Sequence, residues 1–256
     1  MNEREFDGKN IFITGSTGYI GRAIAFAFAN KGALVSICGR DKERVDNIIE
    51  SFEPVNGRVI GICLDVRDYK SIEKAVDMFR YEAGGELHGL INCAGGGARE
   101  EMKCLSDQSV DLIKEVIEVN LLGTIMCCKK CIPYIEDGGF IINTSSVLAY
   151  TGRSEYGEYA SAKAGVIGLT RSLAKELGNR SIRVNSISYG SISREELVGV
   201  QREGQMRTNY LGLYADVPSF IQVPLFLASA GAMFITGEDI VVDGGRRLAL
   251  KGTEEF

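Results

Sequence analysis

The sequence predicts an α/β fold, a doubly wound parallel sheet in a single domain over residues 1–256. Three observations carry this. Apolar runs of strand length alternate with amphipathic segments of helix length almost throughout. Those runs are apolar on both faces, as strands buried between two helix layers must be. A glycine-rich turn stands between the first run and the first helix, where a phosphate-binding turn belongs in such a Rossmann-like fold.

Taken in order, the first strand is NIFITG from Asn10, followed by the turn TGSTGYIGRA (14–23) and the helix GRAIAFAFANKG. ALVSICG from Ala33 is the second strand and KERVDNIIESF the second helix. RVIGICLDV from Arg58 and KSIEKAVDMFRYEA make the third pair, and GLINCAG from Gly89 is the fourth strand. TIMCCKKCIPYI reads as a helix with a cysteine-rich apolar face, and GFIINTSS from Gly139 as the fifth strand. The long helix KAGVIGLTRSLAKELGN leads to IRVNSIS from Ile182, and EDIVVDGG from Glu238 closes the sheet. Residues 191–216 are polar and dotted with glycine, which suits a loop covering a substrate.

Composition narrows the function. At 256 residues, 45% hydrophobic and 25% charged, the chain is an ordinary globular protein, and its formal net charge of −5 provides no footprint for nucleic acid. No apolar run approaches a membrane span, and the N-terminus MNEREFDGKN is too charged for a signal peptide, so a cytoplasmic protein without a membrane partner is expected. Seven cysteines, an odd number, read as reduced and buried thiols. Cys128 and Cys131 have metal-ligand spacing, but a second CxxC is missing and His88 is the sole histidine, so no metal is expected.

In the turn, Gly15, Ser16, Thr17, Gly18, Tyr19, Ile20 and Gly21 form the candidate cradle for a dinucleotide's pyrophosphate, with glycines permitting close backbone approach. A carboxylate at the end of the second strand would hold the ribose 2′-hydroxyl of NAD and repel a phosphate. Here the strand ends in Gly39 and Arg40, and a guanidinium suits the 2′-phosphate of NADP. NADP is therefore the expected cofactor, with NAD the alternative and Asp41 the residue that could offset Arg40. Further along, YGEYASAK (156–163) puts Tyr159 four residues before Lys163, on one helix face. A phenol ionises near pH ~10, and a neighbouring ammonium favours its charged form, so Tyr159 is the candidate acid.

The fingerprint, INCAG, the serine run and YASAK together resemble the classical short-chain dehydrogenase/reductase family, in order and over nearly the whole chain. The resemblance implies that Asp65 and Val66 flank the adenine, that Asn92, Ala94 and Gly95 line the cofactor cleft, and that Gly190 and Ile192 lie near the nicotinamide. It implies a catalytic set of Asn120, Ser146, Tyr159 and Lys163, with Tyr159 and Lys163 also touching cofactor. Ser146 stands thirteen residues before Tyr159, which selects it over Ser145. Ser146 would donate to the substrate oxygen, Tyr159 would exchange its proton with it, Lys163 would hold the nicotinamide ribose, and Asn120 would hold a relay water.

Departures from the family pattern are specific. The middle glycine is Gly18 and Tyr19 follows, an arrangement that resembles the family's extended branch, whose members act on nucleotide sugars and are longer than this chain. Tyr189 stands where a proline is usual, Arg194 where threonine is common and could face an anionic substrate group, and Pro224 interrupts a segment that is usually an unbroken helix. A 3-oxoacyl-carrier-protein reductase shares the motifs, but IEDGG before the fifth strand puts Glu136 and Asp137 where basic residues would dock an acidic carrier, and Arg180 compensates only in part. The expected protein is an NADP(H)-preferring oxidoreductase acting on a secondary alcohol or ketone of a small, polar substrate, assembled as a homodimer or homotetramer. The alternatives are the carrier-protein reductase and a silent cofactor-binding scaffold or sensor.

Overall fold

The computed structural model describes residues 4–52, 54–97, 103–193 and 199–248. Its seven strands form one parallel sheet: β1 (Asn10–Thr14), β2 (Leu34–Gly39), β3 (Arg58–Cys63), β4 (Leu87–Asn92), β5 (Ile135–Ser146), β6 (Arg183–Tyr189) and β7 (Asp239–Val242). Their order is β3-β2-β1-β4-β5-β6-β7. The chain leaves β1 for β2 on one side and resumes with β4 on the other, so β1 and β4 mark the point where the strand order reverses and a ligand cleft opens.

The helices are α1 (Tyr19–Asn30), α2 (Lys42–Glu50), α3 (Tyr69–Ala83), α4 (Val110–Ile117), α5 (Gly123–Cys131), α6 (Leu148–Thr151), α7 (Gly157–Glu176), α8 (Gly199–Met206) and α9 (Val217–Ala228). Strand residues alternate between two buried layers, which is why the runs are apolar throughout. Ile11, Ile13, Val35, Ile37, Ile142 and Ile187 pack against α1, α2 and α9. Phe12, Cys38, Leu90, Ile141 and Val184 pack against α3, α5 and α7. Phe12 meets Phe79 of α3 edge-on at 5.4 Å between ring centres.

Four helices begin on a side-chain cap that the sequence supplies: Asp41 for α2, Asp68 for α3, Ser109 for α4, and Asp216 for α9 in a reciprocal box with Ser219. Asp41 is thereby occupied at the helix start. The loop over residues 191–216 is not irregular throughout, because α8 lies within it; Arg194 falls outside the described residues. Pro224 is buried inside α9, and that helix runs through it uninterrupted.

Two strands begin earlier than their apolar runs. Between β4 and β5 the pairing jumps from Leu87↔Ile135 to Gly89↔Phe140, so His88 alone opposes residues 136–139. Gly89 makes room for the Phe140 ring, which an added Cβ would strike. In this bulge the Asn10 backbone N–H donates to Nδ1 of His88 at 3.0 Å, and Nε2 of His88 stands 2.6 Å from Oε1 of Glu136. Cys38, Cys127, Cys128 and Cys131 are core residues, but Cys63 and Cys104 are exposed, contrary to the expectation of buried thiols throughout. Among the described residues no helix is long and apolar enough to cross a membrane.

Candidate active site

The glycine turn leaves the start of α1 open. No side chain caps α1, in contrast to the four capped helices, and no acidic residue occupies its first turn. Its leading N–H groups and the positive end of its dipole therefore suit an anion, and the residues present fit a dinucleotide pyrophosphate. Gly15 has φ +65°, and a Cβ there would lie 2.5 Å from the Ala94 Cα, so the turn touches the loop after β4. A Cβ on Gly21 would lie 2.6 Å from the Gly15 carbonyl oxygen. Ser16 is different, because its hydroxyl is fully buried between β1 and β2, accepting from the Cys38 N–H at 2.7 Å. Only its main chain is left for the cleft.

Thr14 fixes the switch point. Its hydroxyl oxygen accepts from the backbone N–H groups of Cys93 and Ala94, both at 3.2 Å, and ties the end of β1 to the NCAG loop. Asn92 turns away from the cleft: its amide donates to Oδ1 of Asn143 at 2.9 Å, and Asn143 donates on to Thr170. Thr14 was legible in the motif TG, but its bonding to residues 79 and 80 positions away was not.

At the end of β2, Gly39 is buried against Thr17 and Arg40 is exposed. Arg44 of α2 donates to the Thr17 carbonyl at 3.1 Å, and a cavity of about 390 Å³ is lined by Thr17, Arg22, Asp41, Arg44 and their neighbours. Asp65 is clamped by Arg67, whose Nη2 is 2.6 Å from Oδ2; the hydrogen bond from Arg67 holds the carboxyl below its usual range. Val66 is buried against Gly123. Arg44 and Arg67 carry no recognisable spacing signal and were missed in the sequence.

The four residues of the implied catalytic set come from β5, α7 and the junction of α4 and α5. That junction is a single π turn, Glu118–Leu122, a local widening that recurs at functional sites. Its cause is visible: the Asn120 side-chain amide donates at 3.0 Å to the Val116 carbonyl, which a regular helix would give to the Asn120 backbone. Asn120 Oδ1 in turn accepts from the Gly96 N–H at 2.9 Å. Gly95, at φ +139°, is required here, since a Cβ would strike Asn120 Oδ1 and lie 3.3 Å from Lys163 Nζ.

Lys163 is 2% exposed and donates from Nζ to the Thr144 carbonyl at 2.9 Å. Burial pushes its pKa down from 10.5 to about 8. Nζ lies 5.8 Å from the centre of the Tyr159 ring, one helical turn earlier, and that ring is half-buried. The two serines have separate tasks. Ser145 donates to the Lys163 carbonyl at 3.0 Å and anchors α7 to the sheet, whereas Ser146 sits one residue on, its oxygen accepting from the Leu148 N–H at 3.2 Å.

Tyr156 packs edge-on to Tyr159, with centres 6.3 Å apart, and both rings border Gly97. Tyr189, in the usual proline position, is 4% exposed, packs edge-on to Phe220 at 5.7 Å, and its hydroxyl finds no hydrogen-bond partner among the described residues. Gly190 closes on Asp243, which would stand 2.8 Å from an added Cβ, and half-buried Ile192 packs against the α1 and α9 core layer.

Comparison with known proteins agrees with this architecture. A family model described as enoyl-(acyl carrier protein) reductase matches residues 16–247. YxbG, an uncharacterized oxidoreductase of Bacillus subtilis, is 35% identical over 251 residues, 93% of this chain and 91% of that one. A 3-oxoacyl-[acyl-carrier-protein] reductase of Thermotoga maritima is 34% identical over 93% of this chain and 98% of its own. In structure, the chain resembles a short chain dehydrogenase from Burkholderia cenocepacia in complex with NADP. The TM-score is 0.86, with 29% identity over 96% of this chain and 100% of the other.

Proposed function

Because the chain belongs to the short-chain dehydrogenase/reductase family and is an NAD(P)-dependent oxidoreductase, we propose that it uses NADP(H) to interconvert a small, polar ketone and its secondary alcohol. The observation that carries this reading is Lys163: a fully buried ammonium 2.9 Å from the Thr144 carbonyl and 5.8 Å from the Tyr159 ring. Burying an ammonium beside a phenol destabilises the fold and is retained where the charge has work to do.

When bound, the nicotinamide supplies the hydride to the carbonyl carbon in reduction. Tyr159 gives its hydroxyl proton to the carbonyl oxygen, and in the reverse direction removes it from the alcohol. Ser146 donates a hydrogen bond to that oxygen as negative charge develops. The Lys163 charge stabilises the Tyr159 oxygen as its proton leaves, and Lys163 would also hold the nicotinamide ribose. Asn120, across Gly95 from Lys163, would order the path by which the proton is replaced. The turn Gly15 to Gly21 would hold the pyrophosphate, Asp65 and Val66 the adenine, Ala94 and Gly95 the cleft wall, and Gly190 and Ile192 the nicotinamide.

For NADP over NAD, the support is Arg40 exposed at the end of β2 while Asp41 is committed to capping α2. Titration with NADPH and NADH, followed by nicotinamide fluorescence since the chain has no tryptophan, tests this. NADPH should bind more tightly, and Arg40→Ala should weaken NADPH far more than NADH; equal weakening would reject the assignment.

The carrier-protein reading has a 34% identical relative in its favour. Against it, Glu136 pairs with His88, and Asp137 neutralises Arg180 at 2.9 Å, so this edge presents no net basic dock. We also propose a homodimer or homotetramer. The cysteine face of α5 packs into the core, while Leu122 and Ile125 remain on the outer side as apolar contacts for a second copy. A monomer in light scattering at micromolar concentration would refute this.

A further inference from the structure

Resting on the ketone–alcohol reading above, we infer that the substrate carries a carboxylate near its reacting carbon and that Arg153 binds it. The segment between Ser146 and Tyr159 is specially shaped. α6 ends at Gly152 with φ +63°, and Glu155 holds φ +68°, a left-handed conformation that a side-chain-bearing residue keeps only when its surroundings impose it. Within this bend the Tyr156 N–H returns to the Arg153 carbonyl at 3.1 Å. The Arg153 guanidinium carbon then lies 4.7 Å above the centre of the Tyr156 ring. Tyr156 is the ring packed edge-on to Tyr159. A cation is thus seated on the ring that neighbours the proton donor, and that ring and Tyr159 both border Gly97.

Like Arg202 over Tyr214 and Arg247 over Tyr150, Arg153 stacks on a tyrosine with no ion pair among the described residues, but only its ring is packed on Tyr159. Arg58, Arg67, Arg80 and Arg180 each face a carboxylate within 4 Å. For Arg153 the Tyr156 ring is its sole partner among the described residues. Stacking engages the flat face of a guanidinium and holds it in place, while the N–H fork around its edge stays available for a planar, bidentate anion. The chemistry that matches such a fork beside a proton donor is an oxo- or hydroxy-carboxylate.

The test compares 3-oxobutanoate and 4-oxopentanoate with their methyl esters, in wild type, Arg153→Gln and Arg153→Lys, with NADPH as reductant. For the wild type the better acid should exceed its ester in kcat/KM by about tenfold or more. In Arg153→Gln the acid-to-ester ratio should fall about 10- to 100-fold, mainly through KM, as expected for a lost charge-assisted hydrogen bond. Arg153→Lys, which keeps charge but not the fork, should recover part of the ratio. An unchanged ratio, with acid and ester turned over, overturns the role of Arg153 and leaves the reductase reading intact. Absence of turnover with every compound counts against the reductase reading, and Arg153 is then judged by binding alone. Saturable quenching of bound NADPH by 4-oxopentanoate that is lost in Arg153→Gln supports the anion site; its absence in wild type overturns it.

Discussion

Replacing Lys163 with methionine removes a buried ammonium while keeping a side chain of similar length. In the folded protein burial lowers the lysine pKa from 10.5 to about 8, so the folded state disfavours the charged form. Between those two values the unfolded chain binds more protons than the folded one, and stability rises with pH. A displacement of that size corresponds to about 3 kcal/mol. The penalty is present in full below pH ~8 and is gone by pH ~10.5, whereas the methionine variant carries none of it. Loss of the bond to the Thr144 carbonyl subtracts a constant of about 1 kcal/mol from the variant at every pH. The assay is urea unfolding of both proteins, free of cofactor, at half-unit steps from pH 7 to 10.5; taking the difference cancels all other titrating groups. The variant should be the more stable at pH 7, and its advantage should shrink by about 3 kcal/mol as pH rises to 10.5. A difference that stays flat with pH, or grows, would refute the buried-charge argument.

Two further outcomes follow from other parts of the molecule. Tyr189→Phe removes a buried hydroxyl that has no partner among the described residues and should stabilise the protein by about 1 kcal/mol, a rise in Tm of roughly 2–4 °C by calorimetry; a fall would mean that the hydroxyl is bonded. His88 should titrate below its ordinary value of ~6.5, because burial and then Lys9 disfavour the imidazolium more than Glu136 favours it. Nδ1 already accepts the Asn10 N–H, which leaves no site for a second proton. Its contribution to stability is therefore present above pH ~6.5 and lost as pH falls through the folded value. NMR of the single imidazole reads this directly, and a midpoint above ~6.5 would reverse the sign.

Much of this was legible in the sequence because alternation and glycine placement are local. The seven strands, the glycine-rich turn and the helix bearing Tyr159 and Lys163 all rest on residues within a few positions of one another. The rest depends on long-range contacts. The family resemblance picks out Asn120, but nothing in the sequence shows its side chain taking the Val116 carbonyl and opening a π turn. Ser16 and Asn92 look like cleft residues from their motifs, yet the Ser16 hydroxyl bonds inward from the turn to β1 and β2, and strand alternation turns Asn92 into the core. The early starts of β4 and β5 escape an apolar-run reading because the bulge carries His88, Glu136 and Asp137. Lys163 was placed correctly four residues after Tyr159, but its burial, which sets its own charge, belongs to the tertiary structure.

The most direct test of the account is Tyr159→Phe, measured for NADPH binding and for reduction of 4-oxopentanoate or its methyl ester in one preparation. Removal of the proton donor should lower kcat by about 10²–10⁴-fold while the NADPH dissociation constant stays as in wild type. Turnover retained at the wild-type rate would contradict the assignment of Tyr159 as the acid, and with it the mechanism built around Lys163, Ser146 and Asn120.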